Sequence, residues 1–142
     1  MSLGLYLHIP YCFSKCRYCD FYSAPGQRSV PRAYVDALLR ELSRFAPDAP
    51  LRPDTLYFGG GTPSLLDPAD AARLIAAAQP LPGAEITLEA NPETVTEDSL
   101  RAFREAGVNR ISFGVQSARD SQLKTLCLLY TSPSPRDMRR SR

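Results

Sequence analysis

Three cysteines fall within eight residues, in the pattern Cys12-x3-Cys16-x2-Cys19, and no other side chains in the chain are so plainly arranged for chemistry. Thiolates are soft ligands, and close spacing lets several of them reach one inorganic centre. A structural zinc site draws four ligands, typically from two separated pairs. Here the next cysteine is Cys127, and the sole histidine, His8, belongs to the apolar run before the trio. Three thiolates on a 4Fe–4S cubane leave one iron without a protein ligand, a position that a chelating small molecule can take. A zinc knuckle or reduced core cysteines are the bland alternatives.

Three further motifs follow in order. Gly59-Gly60-Gly61-Thr62-Pro63 is a glycine run that lets backbone approach a ligand closely, although a tight strand-to-helix turn would use the same residues. Glu89 opens Glu89-Ala90-Asn91-Pro92, where a carboxylate can accept hydrogen bonds from a ribose diol or an ammonium group. A salt bridge or a loop cap would also account for it. Gln116, in Gly114-Val115-Gln116-Ser117, offers both a donor and an acceptor, or is simply a strand-end amide.

Short apolar runs alternating with helical patterns must position these groups. Leu3–Ile9 reads as a buried strand, Thr55–Phe58 as a second, Glu85–Glu89 as a third and Arg110–Val115 as a fourth. Helical spacing places Tyr34, Val35, Leu38, Leu39, Leu42 and Phe45 on one face of Pro31–Phe45. Asp67-Pro68 predicts an N-cap followed by proline at the first helical position. Thr96 predicts the cap of a third helix, with Glu97 and Asp98 near its positive end and Gly107 past its last turn. Asp120 begins a fourth helix. Such a series implies an α/β fold with a parallel sheet. A doubly wound sheet and a TIM-like barrel both fit. Each polar motif ends or follows a strand, which is the barrel habit, and four βα units are about half of a barrel that needs roughly 200 residues or more.

Composition narrows the function further. Residues 127–142 hold four arginines and one aspartate, a net +3, so the overall +2 leaves −1 for residues 1–126. That body has no electrostatic footprint for nucleic acid. No apolar run reaches the roughly 18 residues of a transmembrane segment, and the N-terminus lacks the basic and small-residue features of a secretory signal. A cytoplasmic protein is expected, one in which a tight odd cysteine trio serves a metal rather than disulfides. The character of the chain changes at Cys127, where Cys-Leu-Leu-Tyr gives way to Thr-Ser-Pro-Ser-Pro and a basic end. Residues 1–126 are read as the incomplete core, and 127–142 as a non-native or disordered tail.

Taken together, Tyr6-x-His8-Ile9-Pro10-Tyr11-Cys12-x3-Cys16-x2-Cys19-Asp20-Phe21, Gly-Gly-Gly-Thr-Pro, Glu-Ala-Asn-Pro and Ser-Phe-Gly-Val-Gln-Ser resemble the radical S-adenosylmethionine superfamily. The nearest likeness is to the oxygen-independent coproporphyrinogen III oxidase-like proteins, particularly their heme chaperone branch, over residues 3–126. The resemblance implies the N-terminal half of a TIM-like partial (βα)6 barrel. It implies a 4Fe–4S cluster on Cys12, Cys16 and Cys19, with S-adenosylmethionine contacted by Tyr6, Tyr18, Gly60, Gly61, Thr62, Glu89 and Gln116. The cluster would pass an electron to the sulfonium, giving methionine and a 5′-deoxyadenosyl radical. Heme, an acceptor protein and an electron donor are further implied partners, the heme site lying in a C-terminal region beyond this chain.

Two departures bear on the choice within the family. The oxidases resemble Cys-x3-Cys-x2-Cys-x-Cys, and here the last position is Phe21, which favours heme transfer over oxidative decarboxylation of coproporphyrinogen propionates. Relatives continue after Lys124-Thr125-Leu126 with Gly-Arg, where this chain has Cys127-Leu128. His8, set in a strand, is a poor heme ligand. A small zinc-binding interaction module remains the rival of another class, with the glycine run and Glu89 against it.

Overall fold

The computed structural model describes residues 2–14, 16 and 19–125. Among them, strands and helices alternate: β1 (Gly4–Ile9), α1 (Arg32–Phe45), β2 (Thr55–Gly60), α2 (Pro68–Ala78), β3 (Glu85–Ala90), α3 (Glu97–Glu105), β4 (Arg110–Phe113) and α4 (Asp120–Thr125). All strand pairs are parallel, and their spatial order is β1-β2-β3-β4. A doubly wound sheet reverses its strand order part-way. This sheet does not reverse, and its order is that of a barrel wall. The fold is α/β, with four βα units.

Local chemistry sets the helix ends. The Asp67 side chain accepts from the Ala69 amide at 2.8 Å with Pro68 in the first turn, and Gln79 closes α2 in the left-handed region at φ +49°. Thr96 caps α3, and its reciprocal partner is Ser99, which completes a capping box. Gly107 follows at φ +113°. Pro31 stands just before α1 and supplies no side-chain cap. Arg73 ties α2 to α1 by donating to Asp36 at 2.8 Å, while its other arm meets Asp70 on its own helix.

The strands carry two unlike faces. Leu7, Ile9, Leu56, Phe58, Ile86 and Leu88 are buried in one cluster with Val35, Leu42, Leu74 and Phe103 from the helices. On the opposite face the register aligns Tyr6 with Tyr57, Tyr57 with Thr87, and Glu89 with Ser112. A parallel sheet covered by helices on both sides has apolar residues on both faces. Here polar groups alternate with apolar ones, as they do where a barrel lumen holds a ligand.

Three expectations are corrected. β1 is not buried on both sides: Leu7 and Ile9 are, whereas Tyr6 is 55% exposed on the lumen face. β4 ends at Phe113, not Val115, because the chain turns away after Gly114 and Gln116 takes φ +58°. Phe45, placed on the apolar stripe of α1 by its spacing, is exposed at the end of the helix.

Candidate functional site

The cysteine loop leaves β1 and returns beside its own start. Cys12 donates its amide to Ala24 O at 3.0 Å, Ala24 donates back to Pro10 O, and Gln27 donates to Cys12 O. The loop is thereby closed at its base. None of Cys12, Cys16 and Cys19 is in a disulfide, and Cys12 is buried while the other two are half-buried. His8 Nε2 lies 3.2 Å from the Tyr22 carbonyl oxygen, and its Nδ1 lies 3.4 Å from the Tyr6 hydroxyl. A carbonyl can only accept, so Nε2 carries the proton and Nδ1 accepts from Tyr6. This pins the far limb of the loop to β1.

The glycine loop after β2 fits under the cysteine loop. Gly61 donates to Ile9 O and Thr62 to Tyr11 O, each at 2.8 Å. A Cβ at Gly61 would stand 2.8 Å from Cys12 Sγ and 2.7 Å from Tyr11 O. Gly60, at φ +119°, would drive a Cβ within 2.7 Å of the His8 ring. The glycines are thus required by packing as well as by any ligand that approaches them.

Glu89, the last residue but one of β3, is half-buried, with both oxygens already directed. Oε1 accepts from the Tyr57 hydroxyl at 2.7 Å, and Oε2 accepts from the Gly60 amide at 3.2 Å. The hydrogen bond to Glu89, then burial and the carboxylate's charge, raise the Tyr57 phenol above its ordinary 10.0. Burial, and then the same charge, raise Tyr6. Thr62, almost fully buried, has its hydroxyl within 3.3 Å of the Asn91 side-chain amide that donates to it.

Cys12, Cys16, Cys19, Gly60, Gly61, Thr62, Glu89 and Gln116 all line one cleft of about 240 Å³ at the C-terminal edge of the sheet. Tyr6 does not line it; it stands one row lower on the lumen face, stacked on Tyr57 with ring centres 5.9 Å apart. Tyr18 and residues 127–142 lie outside the described residues. Sequence reading missed Ser23, Asn91, Ser112 and Phe113 in the cleft wall and Tyr57 beneath it. Ser112 and Tyr57 follow from strand alternation once the register is known. Ser23 left no signal of its own.

The cleft's donors and acceptors suit an iron–sulfur cluster with a polar organic ligand. Among the described residues, no three His, Cys, Asp or Glu side chains converge on a single ion. A cubane takes one thiolate per iron, so its ligands line a cavity without converging on a point. Ser23 Oγ is the one buried side-chain polar atom among the described residues that has no hydrogen-bond partner, and Ser23 lines this cleft. Buried polar atoms are nearly always satisfied, so a hydroxyl left in this way calls for a partner in the cavity.

Residues 6–132 match the family model of the radical SAM superfamily. The heme chaperone HemW of Escherichia coli (strain K12) is 48% identical over 87% of this chain and 34% of its own length. The oxygen-independent coproporphyrinogen III oxidase of Bradyrhizobium diazoefficiens is 39% identical over 82% of this chain and 27% of its own. The solved structure of coproporphyrinogen III oxidase (HemN) from Escherichia coli, described as a radical SAM enzyme, superposes with a TM-score of 0.81. It is 32% identical, covering 91% of this chain and 31% of that one. The chain therefore spans about a third of the length of these relatives. Its four βα units form part of the same barrel wall, and by the extent of the family match the chain belongs to the radical SAM superfamily.

Proposed function

We propose that this chain contributes the cluster and S-adenosylmethionine site of a heme chaperone-like protein. The observation that carries the reading is the meeting of three thiols with the ends of β2, β3 and β4 in one cleft. Cys12, Cys16 and Cys19 hold the 4Fe–4S cluster. Glu89 accepts hydrogen bonds from the polar groups of S-adenosylmethionine, Gln116 both donates and accepts, and Gly60, Gly61 and Thr62 bring backbone close to it. When bound, the cluster supplies the electron for reductive cleavage of the sulfonium. Residues of the cysteine loop and of the glycine loop both line the cleft. Heme, the acceptor protein and the electron donor belong to the whole protein, and a cytoplasmic setting fits reduced thiols.

The heme chaperone relative and Phe21 support transfer of heme over porphyrin chemistry; Phe21 is 66% exposed at the cleft mouth, where a fourth cysteine would stand in the oxidases. The likeness to coproporphyrinogen III oxidase favours the second reading, oxidative decarboxylation of that substrate. Anaerobic reconstitution of the intact protein with iron and sulfide tests the site. It should yield about four irons and four sulfides per chain and bind S-adenosylmethionine. Heme should bind and pass to an apo-hemoprotein, with coproporphyrinogen III unchanged. Conversion of coproporphyrinogen would establish the second reading, and iron without sulfide would overturn both.

A further inference from the structure

Below the cleft, the lumen face holds two tyrosines, Tyr6 and Tyr57, connected to Glu89 in the cleft wall. Tyr57 sits on β2 at the level of Thr87, one row beneath Glu89 on β3, and its hydroxyl reaches up to Glu89 Oε1 at 2.7 Å. Its ring lies against that of Tyr6, the planes 15° apart. The space for this lean comes from Gly59: a Cβ there would fall 2.7 Å from Tyr6 Cε2 and 2.9 Å from Tyr57 Cε1. Gly59 is thus the glycine of the run that the tyrosines need, while Gly60 makes room for His8 and Gly61 for Cys12.

We propose that Tyr57 is a positioning residue, whose hydroxyl fixes the rotamer of Glu89 so that the carboxylate meets the polar end of S-adenosylmethionine. The inference rests on the reading that Glu89 binds that ligand. A glutamate at a strand end has three side-chain torsions, and free rotation would spread its carboxylate over much of the cleft. Tyr57 takes one lone pair of Oε1 and the Gly60 amide one of Oε2, which leaves acceptor capacity on both oxygens. Glu89 lines the cleft, so that capacity is available to a ligand. The phenol stays protonated because the hydrogen bond to Glu89, assisted by burial, holds its ionisation above 10.0. It remains the donor throughout the physiological range.

The test compares Tyr57→Phe, Glu89→Ala and the double variant in the intact protein, reconstituted anaerobically to equal iron content. Tyr57→Phe keeps the ring and its stacking on Tyr6, so folding is preserved. The readout is S-adenosylmethionine affinity by equilibrium titration, followed through the reduced cluster's paramagnetic spectrum. Tyr57→Phe should weaken binding about tenfold, as expected for loss of one charge-assisted hydrogen bond. Glu89→Ala should weaken it at least as much, and the double variant should bind like Glu89→Ala alone, because Tyr57 acts only through that carboxylate. A merely structural tyrosine would leave affinity unchanged or add its loss to that of Glu89→Ala; either result overturns the proposal. If Glu89→Ala weakens binding and Tyr57→Phe does not, the positioning role falls and the Glu89 reading stands. If Glu89→Ala itself binds normally, the reading beneath the proposal fails and the proposal with it.

Discussion

The Thr62 amide donates to the Tyr11 carbonyl at 2.8 Å, and through that bond the loop after β2 carries the loop that holds the cysteines. Gly61 makes a second tie, to Ile9 O, one residue earlier on the glycine side and two residues earlier on the β1 side. Two bonds between residues about fifty positions apart in sequence thus tie the two loops together. Three thiolates need fixed mutual distances to hold a cubane, and the glycine loop is part of what fixes them.

Gly61→Ala should therefore damage the cluster site without touching a ligand. Its Cβ would meet Cys12 Sγ at 2.8 Å and the Tyr11 backbone at 2.7 Å, and backbone cannot step aside cheaply. Overpacking of this kind costs about 1–3 kcal/mol. Gly83→Ala is the control: it meets nothing within 4 Å, though φ is +81°. It should lose about 1–2 kcal/mol through backbone strain alone. Denaturant melts and iron counts decide the point. Normal iron loading in Gly61→Ala would show that the two loops are not coupled in this way.

Each thiol should be needed separately. On the proposed ligand set each cysteine would serve a different iron, so Cys12→Ala, Cys16→Ala and Cys19→Ala should each abolish the visible absorbance of the reconstituted cluster. A full complement of iron in any of the three would remove that residue from the ligand set.

The elements were legible where a chemical marker sits at a boundary. Asp67-Pro68 and Thr96 announced their helices, and the apolar alternation in Ile86 and Leu88 gave β3. The barrel was legible over a doubly wound sheet from the polar motifs, each of which ends or follows a strand, and the unreversed strand order agrees with it; the order itself is a long-range property that no local pattern encodes. The same holds for Tyr57 and Glu89. Each residue is an ordinary strand member alone, and only the pairing of β2 with β3 brings them to 2.7 Å. The glycine run was read as ligand-facing. Its packing against Tyr6, His8 and Cys12 was hidden because it depends on which side chains lean over β2. Phe45 misled because helical spacing shows a face but not where the partner surface stops.

Ser23→Ala should have opposite signs in the empty and the loaded protein. Its hydroxyl is buried without a partner, a desolvation cost of about 1–3 kcal/mol that alanine removes. The apo variant should thus melt no lower than the parent, and higher if the full cost is relieved. Once the cleft is filled, the parent gains a hydrogen bond that the variant cannot make, and the stabilisation on loading should be smaller in Ser23→Ala. Equal gains on loading would show that Ser23 does not face the bound groups.

The carboxylate of Glu89 should also be readable from the tyrosines. Tyr57 ionises above 10.0, first because it donates to Glu89, then because of burial and the nearby negative charge. Its native-state value is therefore above that of the unfolded chain. The stability this group contributes is complete below the unfolded value and is lost as pH rises through the native one. Glu89→Gln removes the charge and weakens the acceptor, so Tyr57 should ionise at lower pH; the alkaline loss of stability, which still begins at the unfolded value, should then be smaller and complete at lower pH. Tyr6, held up chiefly by burial and secondarily by Glu89, should move the same way by less. Tyr34 supplies the internal control, since its shift comes from burial and from Tyr11, and its hydroxyl donates to His8 O at 2.7 Å, with no part for Glu89. Phenolate absorbance measured against pH, with Tyr57→Phe to identify the step, resolves the three. An unchanged Tyr57 midpoint in Glu89→Gln would mean that the 2.7 Å contact does not persist in solution.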